Sequence, residues 1–365
     1  MTYVIIFCAA VLISLICTFA IRKVAFASSI LDIPKEGRKI HTRPIPLLGG
    51  VGIYCAFLII IGYYLAFAPS SWPSLTDTHV SLGQTMGILL GGLFLIIGGA
   101  LDDKYNLKPT QQIIWPLLAI VAVIISGVGI HIMTNPFFGG VIQLDQQKVF
   151  LFSWDGISYF FTVWMDILTT VWLLTAIYTT KFLDGIDGLV AGTTVIGALI
   201  IGFFSLFFFV SLPTALLSFI VAGVFFGFLL LNFNPASIFL GEAGSTFAGF
   251  MLGVLAIISG AKFAVALLIL GMPILDAAWV IFRRTVIEKR SPFVGDRKHL
   301  HFRLLDAGFS QRQVVCIIYA LSASFGGAAL FLQSAQKKIA LLFLIIIMII
   351  VGFLIVRAKK KITSI

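Results

Sequence analysis

Long apolar runs, several of them close to twenty residues, are the feature that most restricts how this chain can fold. Of its 365 residues, 60% are hydrophobic and only 11% are charged, whereas a soluble domain is about a quarter charged. Because a helix needs about 20 apolar residues to cross a bilayer, the runs predict a membrane protein with many spans. The apolar residues are continuous rather than alternating, which argues against a β-barrel. We therefore expect an all-α, polytopic membrane helical bundle.

The length rule predicts about eleven transmembrane helices, forming a single integral membrane domain over residues 1–365. The N-terminal run lacks a basic leader and a small-residue cleavage site, so we expect it to be retained as a helix. The breaks near Pro213 and Gly260 are only a few residues long. The predicted spans are approximately 3–21, 47–67, 82–101, 112–133, 156–178, 189–209, 214–231, 244–260, 262–281, 313–333 and 339–356.

The lysines and arginines predict the orientation of the chain. With the N-terminus outside, 21 of the 25 basic residues lie on the inner side, as the positive-inside rule requires. This distribution favours an odd number of spans and a cytoplasmic C-terminus, and it makes 282–312 a long cytoplasmic basic loop. Topology and attraction to anionic lipid headgroups then explain the net charge of +10. We expect a membrane partner and no nucleic-acid partner.

Acidic residues collect at the same predicted edge of the membrane. Asp102 and Asp103 end the third span, Asp184 and Asp187 follow the fifth, and Glu242 precedes the eighth. Adjacent carboxylates raise one another's pKa, and a divalent cation removes this conflict. Mg²⁺ prefers one or two carboxylates together with waters and substrate phosphates. A solvated helix end and a polar turn are the alternatives for the two pairs, but their occurrence on one side favours a cation site.

Two basic loops are predicted on that side as well. The loop at 37–43 carries Lys39, His41 and Arg43, and the segment 295–303 is richer still in cations and histidines. Arginine binds phosphate oxygens with two parallel hydrogen bonds, and lysine binds them as a point charge. A lone basic loop usually reflects topology only, whereas histidines in an H-x-H pattern beside arginines are more specific. Carboxylates for Mg²⁺ and cations for phosphates are the parts needed for phosphoryl transfer.

Two further features lie outside this constellation. Asp166 falls about midway along the predicted fifth span, and we interpret it as a polar contact between helices. The segment 134–155 contains turn-prone residues and predicts a short external hairpin.

At the acidic and basic segments the chain resembles the polyprenyl-phosphate N-acetylhexosamine-1-phosphate transferases. It is most similar to the branch that uses UDP-GlcNAc and undecaprenyl phosphate, which is related to the peptidoglycan phospho-MurNAc-pentapeptide translocase. The segments that carry the resemblance are R-K-I-H-T-R-P-I-P-L-L-G-G (38–50), G-G-A-L-D-D-K-Y-N-L (98–107), F-L-D-G-I-D-G-L-V-A-G (182–192), N-P-A-S-I-F-L-G-E-A-G-S (234–245), P-I-L-D (273–276) and D-R-K-H-L-H-F-R-L-L (296–305).

The resemblance implies an enzyme that transfers a sugar 1-phosphate, with GlcNAc-1-phosphate as the first expectation, from a UDP-sugar to undecaprenyl phosphate. UMP is released, and synthesis of an envelope polysaccharide such as lipopolysaccharide or teichoic acid begins at the cytoplasmic face of the inner or plasma membrane. The implied cofactor is Mg²⁺, with Mn²⁺ as an alternative. A homodimer is left open.

The resemblance also implies roles for individual residues. The implied catalytic residues are Asp103, Asp184 and Asp187. The implied metal ligands are Asp102, Asp103 and Glu242. Substrate binding is implied for Lys39, His41, Arg43, Lys181, Arg297, His299, His301 and Arg303.

Three positions depart from the family pattern. Lys181 stands where asparagine is usual, Glu242 replaces aspartate, and Phe302 stands where many members have histidine. Lys181 could pair with Asp184, reach a diphosphate or occupy the electrostatic place of a cation. These departures leave open an enzyme that uses another UDP-N-acetyl sugar and a catalytically inactive scaffold. A transporter or lipid flippase is a further alternative, for which Asp166 would be the charge near the middle of the membrane.

Overall fold

A computed structural model describes most of the chain as a bundle of helices. The described residues are 1–34, 43–69, 72–76, 80–135, 140–154, 157–260, 267–268, 270–289, 299–332, 336–347 and 350. Three predicted substrate-binding residues, Lys39, His41 and Arg297, lie outside these ranges, as do parts of the predicted ninth and eleventh spans.

The helices follow the apolar runs of the sequence. In chain order they are α1 (Thr2–Ala27), α2 (Gly49–Phe67), α3 (Leu82–Tyr105), α4 (Pro109–Gln112), α5 (Ile114–Ile125), α6 (Val163–Leu183), α7 (Leu189–Phe204), α8 (Leu212–Asn232), α9 (Gly241–Ile258), α10 (Gly271–Phe282), α11 (Leu300–Asp306) and α12 (Gln311–Phe331). One π-helical turn, Ser205–Phe209, extends α7, and another, Arg283–Ile287, extends α10.

Among the described residues, eight helices are long and apolar enough to cross a membrane. They are α1, α2, α3, α6, α7 with its π-helical turn, α8, α9 and α12, and they correspond to eight of the predicted spans. The prediction of a polytopic helical membrane protein is therefore confirmed. In the region of the predicted fourth span, 112–133, the apolar helix is shorter and ends at Ile125.

Short strands add a small β component that the all-α prediction lacked. The strands are β1 (Leu31–Asp32), β2 (Ile45–Pro46), β3 (Ile132–Thr134), β4 (Val141–Gln143), β5 (Lys148–Trp154) and β6 (Ile157–Thr162). They form three antiparallel two-stranded sheets. The hairpin predicted in 134–155 is confirmed, although it is a pair of hairpins, β3–β4 and β5–β6.

The second hairpin corrects two predictions about the fifth span. β6 is rich in aromatic and β-branched residues, which favour strands, so the helix begins at Val163 rather than near residue 156. Asp166 consequently lies in the first turn of α6 and not midway along a span. Its Oδ2 accepts a hydrogen bond from the Thr162 backbone N–H at 2.7 Å. The Asp166 carboxylate therefore accepts a backbone N–H at the start of its own helix, and the predicted contact between helices is wrong.

The described parts of the segment 282–312, which was predicted to be a long loop, contain helical turns. Its beginning continues α10 into the π-helical turn, and its later part contains α11 and the first residues of α12. Arg283 and Arg284, counted as loop residues in the sequence, are buried. Arg283 Nε lies 3.2 Å from Glu288 Oε1, so an ion pair within the segment partly offsets its positive charge.

Glycines allow α2 and α3 to approach α9 closely. A Cβ at Gly99 would overlap the backbone of Ala243, and one at Gly50 would overlap the backbone of Gly244. Small residues at such contacts are the usual means by which transmembrane helices pack. Phe247 of α9 fills the space beside them, with its ring edge-to-face on Tyr54 at a centroid distance of 5.4 Å. The contact places the end of α3 beside the start of α9.

Replacing Gly99 with alanine tests this packing. Because the overlapping atoms are backbone, the helices must separate, and we expect Gly99→Ala to lower the free energy of unfolding by about 1–3 kcal/mol. Gly62→Ala is the matched control, since a Cβ at Gly62 of α2 meets nothing within 4 Å. Thermal melting of both variants in detergent measures the difference, and equal melting temperatures would contradict the close contact.

Candidate active site

A cavity of about 1130 Å³ lies where α3 and α6 end and α9 begins. The two acidic pairs of the sequence and the glutamate line this cavity, together with Arg43 and Lys181. The structure therefore brings together residues from four separate segments of the chain. Among the described lining residues there is no contribution from His299, His301 or Arg303.

Asp102 holds the turn that follows α3. Its Oδ1 accepts hydrogen bonds from the Leu107 backbone N–H at 2.7 Å and from Gln112 Nε2 at 3.1 Å. Asn106 has a left-handed backbone, with φ of 50°, which asparagine tolerates better than most residues. One oxygen of Asp102 is thus committed to local structure.

Asp103 faces the first turn of α9. Its Oδ1 accepts a hydrogen bond from the Glu242 backbone N–H at 3.0 Å, an orphan donor at a helix start where negative charge is favoured. Gly241 has a φ of 72°, and a Cβ there would overlap Asp103 Oδ2. In the described part of the chain, this buried Oδ2 has no hydrogen-bond partner.

Lys181 joins α6 to α9 and α4. Its Nζ lies 2.9 Å from Glu242 Oε2 and donates to Gln112 Oε1 at 2.9 Å. Of the alternatives for Lys181, the structure therefore selects a carboxylate partner, but the partner is Glu242 rather than Asp184. Gln112 was missed by the sequence reasoning, although the Gln111–Gln112 pair at the start of an apolar run was a usable signal.

Asp184 and Asp187 lie on the turn between α6 and α7. Asp187 Oδ2 accepts hydrogen bonds from Asn234 Nδ2 at 2.9 Å and from the Ala236 backbone N–H at 3.1 Å. Asp184 opens into the cavity, where protein replaces much of the surrounding bulk water. This desolvation, followed by the repulsion of Glu242, Asp103 and Asp187, raises the pKa of Asp184 well above its ordinary value.

The two histidines lie behind this turn. Asp276 of α10 has Oδ2 2.8 Å from His299 Nδ1 and accepts the Leu300 backbone N–H on Oδ1 at 2.8 Å. The His299 ring stacks on His301 at a centroid distance of 5.7 Å. His301 is only 1% exposed, and a Cβ at Gly185 would overlap its Nε2. Asp276, whose segment was noted without a role, therefore organises the histidine motif.

Burial also sets the charge of His301. Desolvation is the main cause of a lowered pKa of His301. The neighbouring His299 lowers this pKa further, while Asp276 raises it. Together they lower the pKa of His301 from 6.5 to about 4. Within the described part of the chain, neither ring nitrogen has a hydrogen-bond partner. His301 is therefore neutral at physiological pH and contributes no positive charge to a phosphate.

This lowered pKa predicts a loss of stability in acid. Above pH 6.5 His301 is neutral in both states, and below it the unfolded chain binds a proton that the folded chain refuses until about pH 4. The free energy of unfolding should fall by up to about 3 kcal/mol across that window. We expect His301→Gln to flatten the dependence of melting temperature on pH, and the exposed His131→Gln to leave it unchanged. Equal slopes in all three proteins would contradict the assignment.

Comparison with known proteins assigns the chain to a family. A family model described as glycosyl transferase family 4 matches residues 85–260. The chain is 30% identical to a decaprenyl-phosphate N-acetylglucosaminephosphotransferase of Mycolicibacterium smegmatis, over 94% of this chain and 86% of the relative. It is 32% identical to the protein of that name from Mycobacterium tuberculosis, over 85% and 77%.

A relative from a different bacterial group gives the same result. The undecaprenyl-phosphate alpha-N-acetylglucosaminyl 1-phosphate transferase of Escherichia coli is 29% identical, over 94% of this chain and 88% of the relative. The range matched by the family model contains both acidic pairs and Glu242. The chain therefore belongs to glycosyl transferase family 4, as its motifs predicted, and is a sugar-phosphate transferase.

Proposed function

We propose that the protein transfers GlcNAc-1-phosphate from UDP-GlcNAc to undecaprenyl phosphate and so starts an envelope polysaccharide. An oxygen of the lipid phosphate attacks the sugar-linked phosphorus of the donor. The bond between that phosphorus and the bridging oxygen breaks, UMP leaves, and a polyprenyl diphosphate sugar is formed. The names of the relatives support a polyprenyl phosphate acceptor and an N-acetylglucosamine 1-phosphate group.

The observation that carries the proposal is the composition of the cavity. Six carboxylates and three cationic side chains line a cavity of about 1130 Å³ at one end of the bundle, which is large for a small-molecule site. Such a space suits two substrates that both carry phosphate. Arg43 and Lys181 supply positive charge for phosphate oxygens, which arginine binds as a planar fork and lysine as a point charge.

A divalent cation fits the carboxylates of this cavity. The buried, unpartnered Oδ2 of Asp103 is a free oxygen ligand, and Mg²⁺ takes one or two carboxylates and completes its shell with water and phosphate oxygens. Asp103 and Glu242 would hold the ion, with Asp102 beside them. When bound, the ion would offset negative charge on the diphosphate. Within the described residues, no three acidic, histidine or cysteine side chains form a complete metal site by themselves.

The proposed role of Asp184 follows from its environment. A general base must lie within reach of the proton that it abstracts. Asp184 opens into the cavity, whereas Asp187 is held by Asn234 and the Ala236 backbone. We assign Asp184 to accept the remaining proton of the lipid phosphate, and Asp187 to hold the turn.

The structure gives less support to a transporter. That alternative depended on Asp166 as a charge near the middle of the membrane, but Asp166 is bonded at the first turn of α6. Transporter sites lie near the bilayer midplane, whereas the cavity residues lie at helix ends. Membership of a transferase family argues against an inactive scaffold.

Radiolabel exchange tests the proposed reaction. Purified protein in detergent is mixed with UDP-GlcNAc, labelled UMP and undecaprenyl phosphate, with and without Mg²⁺. We expect label to enter UDP-GlcNAc only when both the lipid and Mg²⁺ are present. Exchange with another UDP-N-acetyl sugar instead would correct the donor, and no exchange with any donor would refute the enzyme assignment.

Asp103→Asn separates the role of the charge from that of the fold. Asparagine keeps an oxygen for the Glu242 backbone N–H, so the melting temperature should remain near that of wild type. Loss of the carboxylate should slow exchange by about 100-fold or more. Asp145→Asn, a change in the loop that precedes β5, is the matched control. Wild-type exchange in Asp103→Asn would refute the role assigned to this residue.

We also propose that the chain has eleven spans, with the N-terminus outside and the active site on the cytoplasmic face of the inner or plasma membrane. On a background in which the four native cysteines are replaced, Lys148→Cys in β5 should react with an impermeant maleimide in intact cells. Lys104→Cys, beside the cavity, should react only after permeabilisation. The reverse pattern would invert the proposed orientation.

A further inference from the structure

Lys181 places a positive charge on the carboxylate that is proposed to hold a cation. Its Nζ lies 2.9 Å from Glu242 Oε2, and the two side chains are 16% and 33% exposed. Partial burial lowers the effective dielectric and strengthens the pair compared with one on an open surface. A divalent cation that approaches Glu242 therefore meets a carboxylate already neutralised by a fixed ammonium group.

Gln112 fixes the ammonium group in this position. Its Oε1 accepts from Lys181 Nζ at 2.9 Å, while its Nε2 donates to Asp102 Oδ1 at 3.1 Å and to the Leu107 backbone oxygen at 2.9 Å. Because an amide accepts only on oxygen and donates only on nitrogen, these partners define its orientation. Lysine alone is flexible, but here its charged end is held between Glu242 of α9 and Gln112 of α4.

We propose that Lys181 is a built-in counter-ion that competes with the divalent cation for Glu242, and that Gln112 is its positioning residue. The inference rests on the proposed function of the cavity and concerns its substrate-free state. With Lys181 on Glu242, the empty site binds Mg²⁺ or Mn²⁺ weakly. Diphosphate oxygens of a bound donor offer Lys181 another anionic partner, and this frees Glu242 for the cation.

This arrangement couples cation binding to substrate binding. The donor draws Lys181 away from Glu242, and the cation displaces Lys181 from the same carboxylate. Because such coupling is reciprocal, a bound cation must also tighten donor binding. A site of this kind would hold little metal before the donor arrives. The departure of Lys181 from the family pattern would then change when the cation binds, without removing the need for it.

Equilibrium binding of Mn²⁺ to the purified, substrate-free protein in detergent, followed by electron paramagnetic resonance, tests the proposal. We expect Lys181→Met to lower the Kd for Mn²⁺ at least tenfold. Lys181→Gln, which keeps a hydrogen-bonding group, serves if the methionine variant does not fold, and the same gain is expected. Gln112→Leu, which only loosens the ammonium group, should give a gain of a few-fold.

Two controls locate the effect at Glu242. Lys104→Met removes the same charge from an exposed position next to Asp103 in sequence, and we expect its Kd to change less than twofold. In Lys181→Met combined with Glu242→Gln, the gain should vanish. An unchanged Kd in the folded Lys181 variants, or an equal gain in Lys104→Met, would overturn the proposal.

Failure of the proposed reaction would look different. If wild-type protein exchanges no label with any donor but Lys181→Met still gains Mn²⁺ affinity, the proposed reaction is refuted and the counter-ion role of Lys181 is supported. If exchange is normal and the Lys181 variants bind Mn²⁺ as wild type does, the proposed reaction is supported and the counter-ion role of Lys181 is refuted.

Discussion

The backbone contact between α3 and α9 at Gly99 and Ala243 positions much of the site. Asp103 lies four residues after Gly99 and so on the same face of α3. When the two backbones touch, its carboxylate reaches the free N–H groups at the start of α9, where it accepts from Glu242. The helix start stabilises the carboxylate, and the carboxylate supplies the partner that the helix start lacks. A packing contact inside the bundle thus fixes the position of Asp103 at its edge.

Each acid of the cavity then acquires a different environment. Asp102 is bonded to the turn after α3, Glu242 is paired with Lys181, and Asp187 is held by Asn234 and Ala236. Asp184 opens into the cavity, where desolvation and the neighbouring carboxylates raise its pKa. Separate environments for neighbouring carboxylates are how one site assigns different acid–base roles to the same chemical group. The carboxylates of the cavity are therefore not equivalent to one another.

The sequence predicted what depends on local pattern. Apolar run length gave the positions of most spans, and the side of each loop predicted that the acidic pairs would meet. Partners across elements depend on tertiary approach, so Gln112 was missed and Lys181 was not assigned to Glu242. The apolar run before α6 was ambiguous because strand and helix bury similar residues. That ambiguity misplaced both the start of α6 and Asp166.

The turn that carries Asp184 and Asp187 is held from two sides. On one side Asn234 and the Ala236 backbone bind Asp187, and on the other His301 packs against Gly185. The histidine is in turn part of a stack fixed by Asp276 through His299. A neutral, buried ring suits a packing surface better than a phosphate ligand. In the described structure the histidine motif thus restricts where the turn that carries Asp184 can lie.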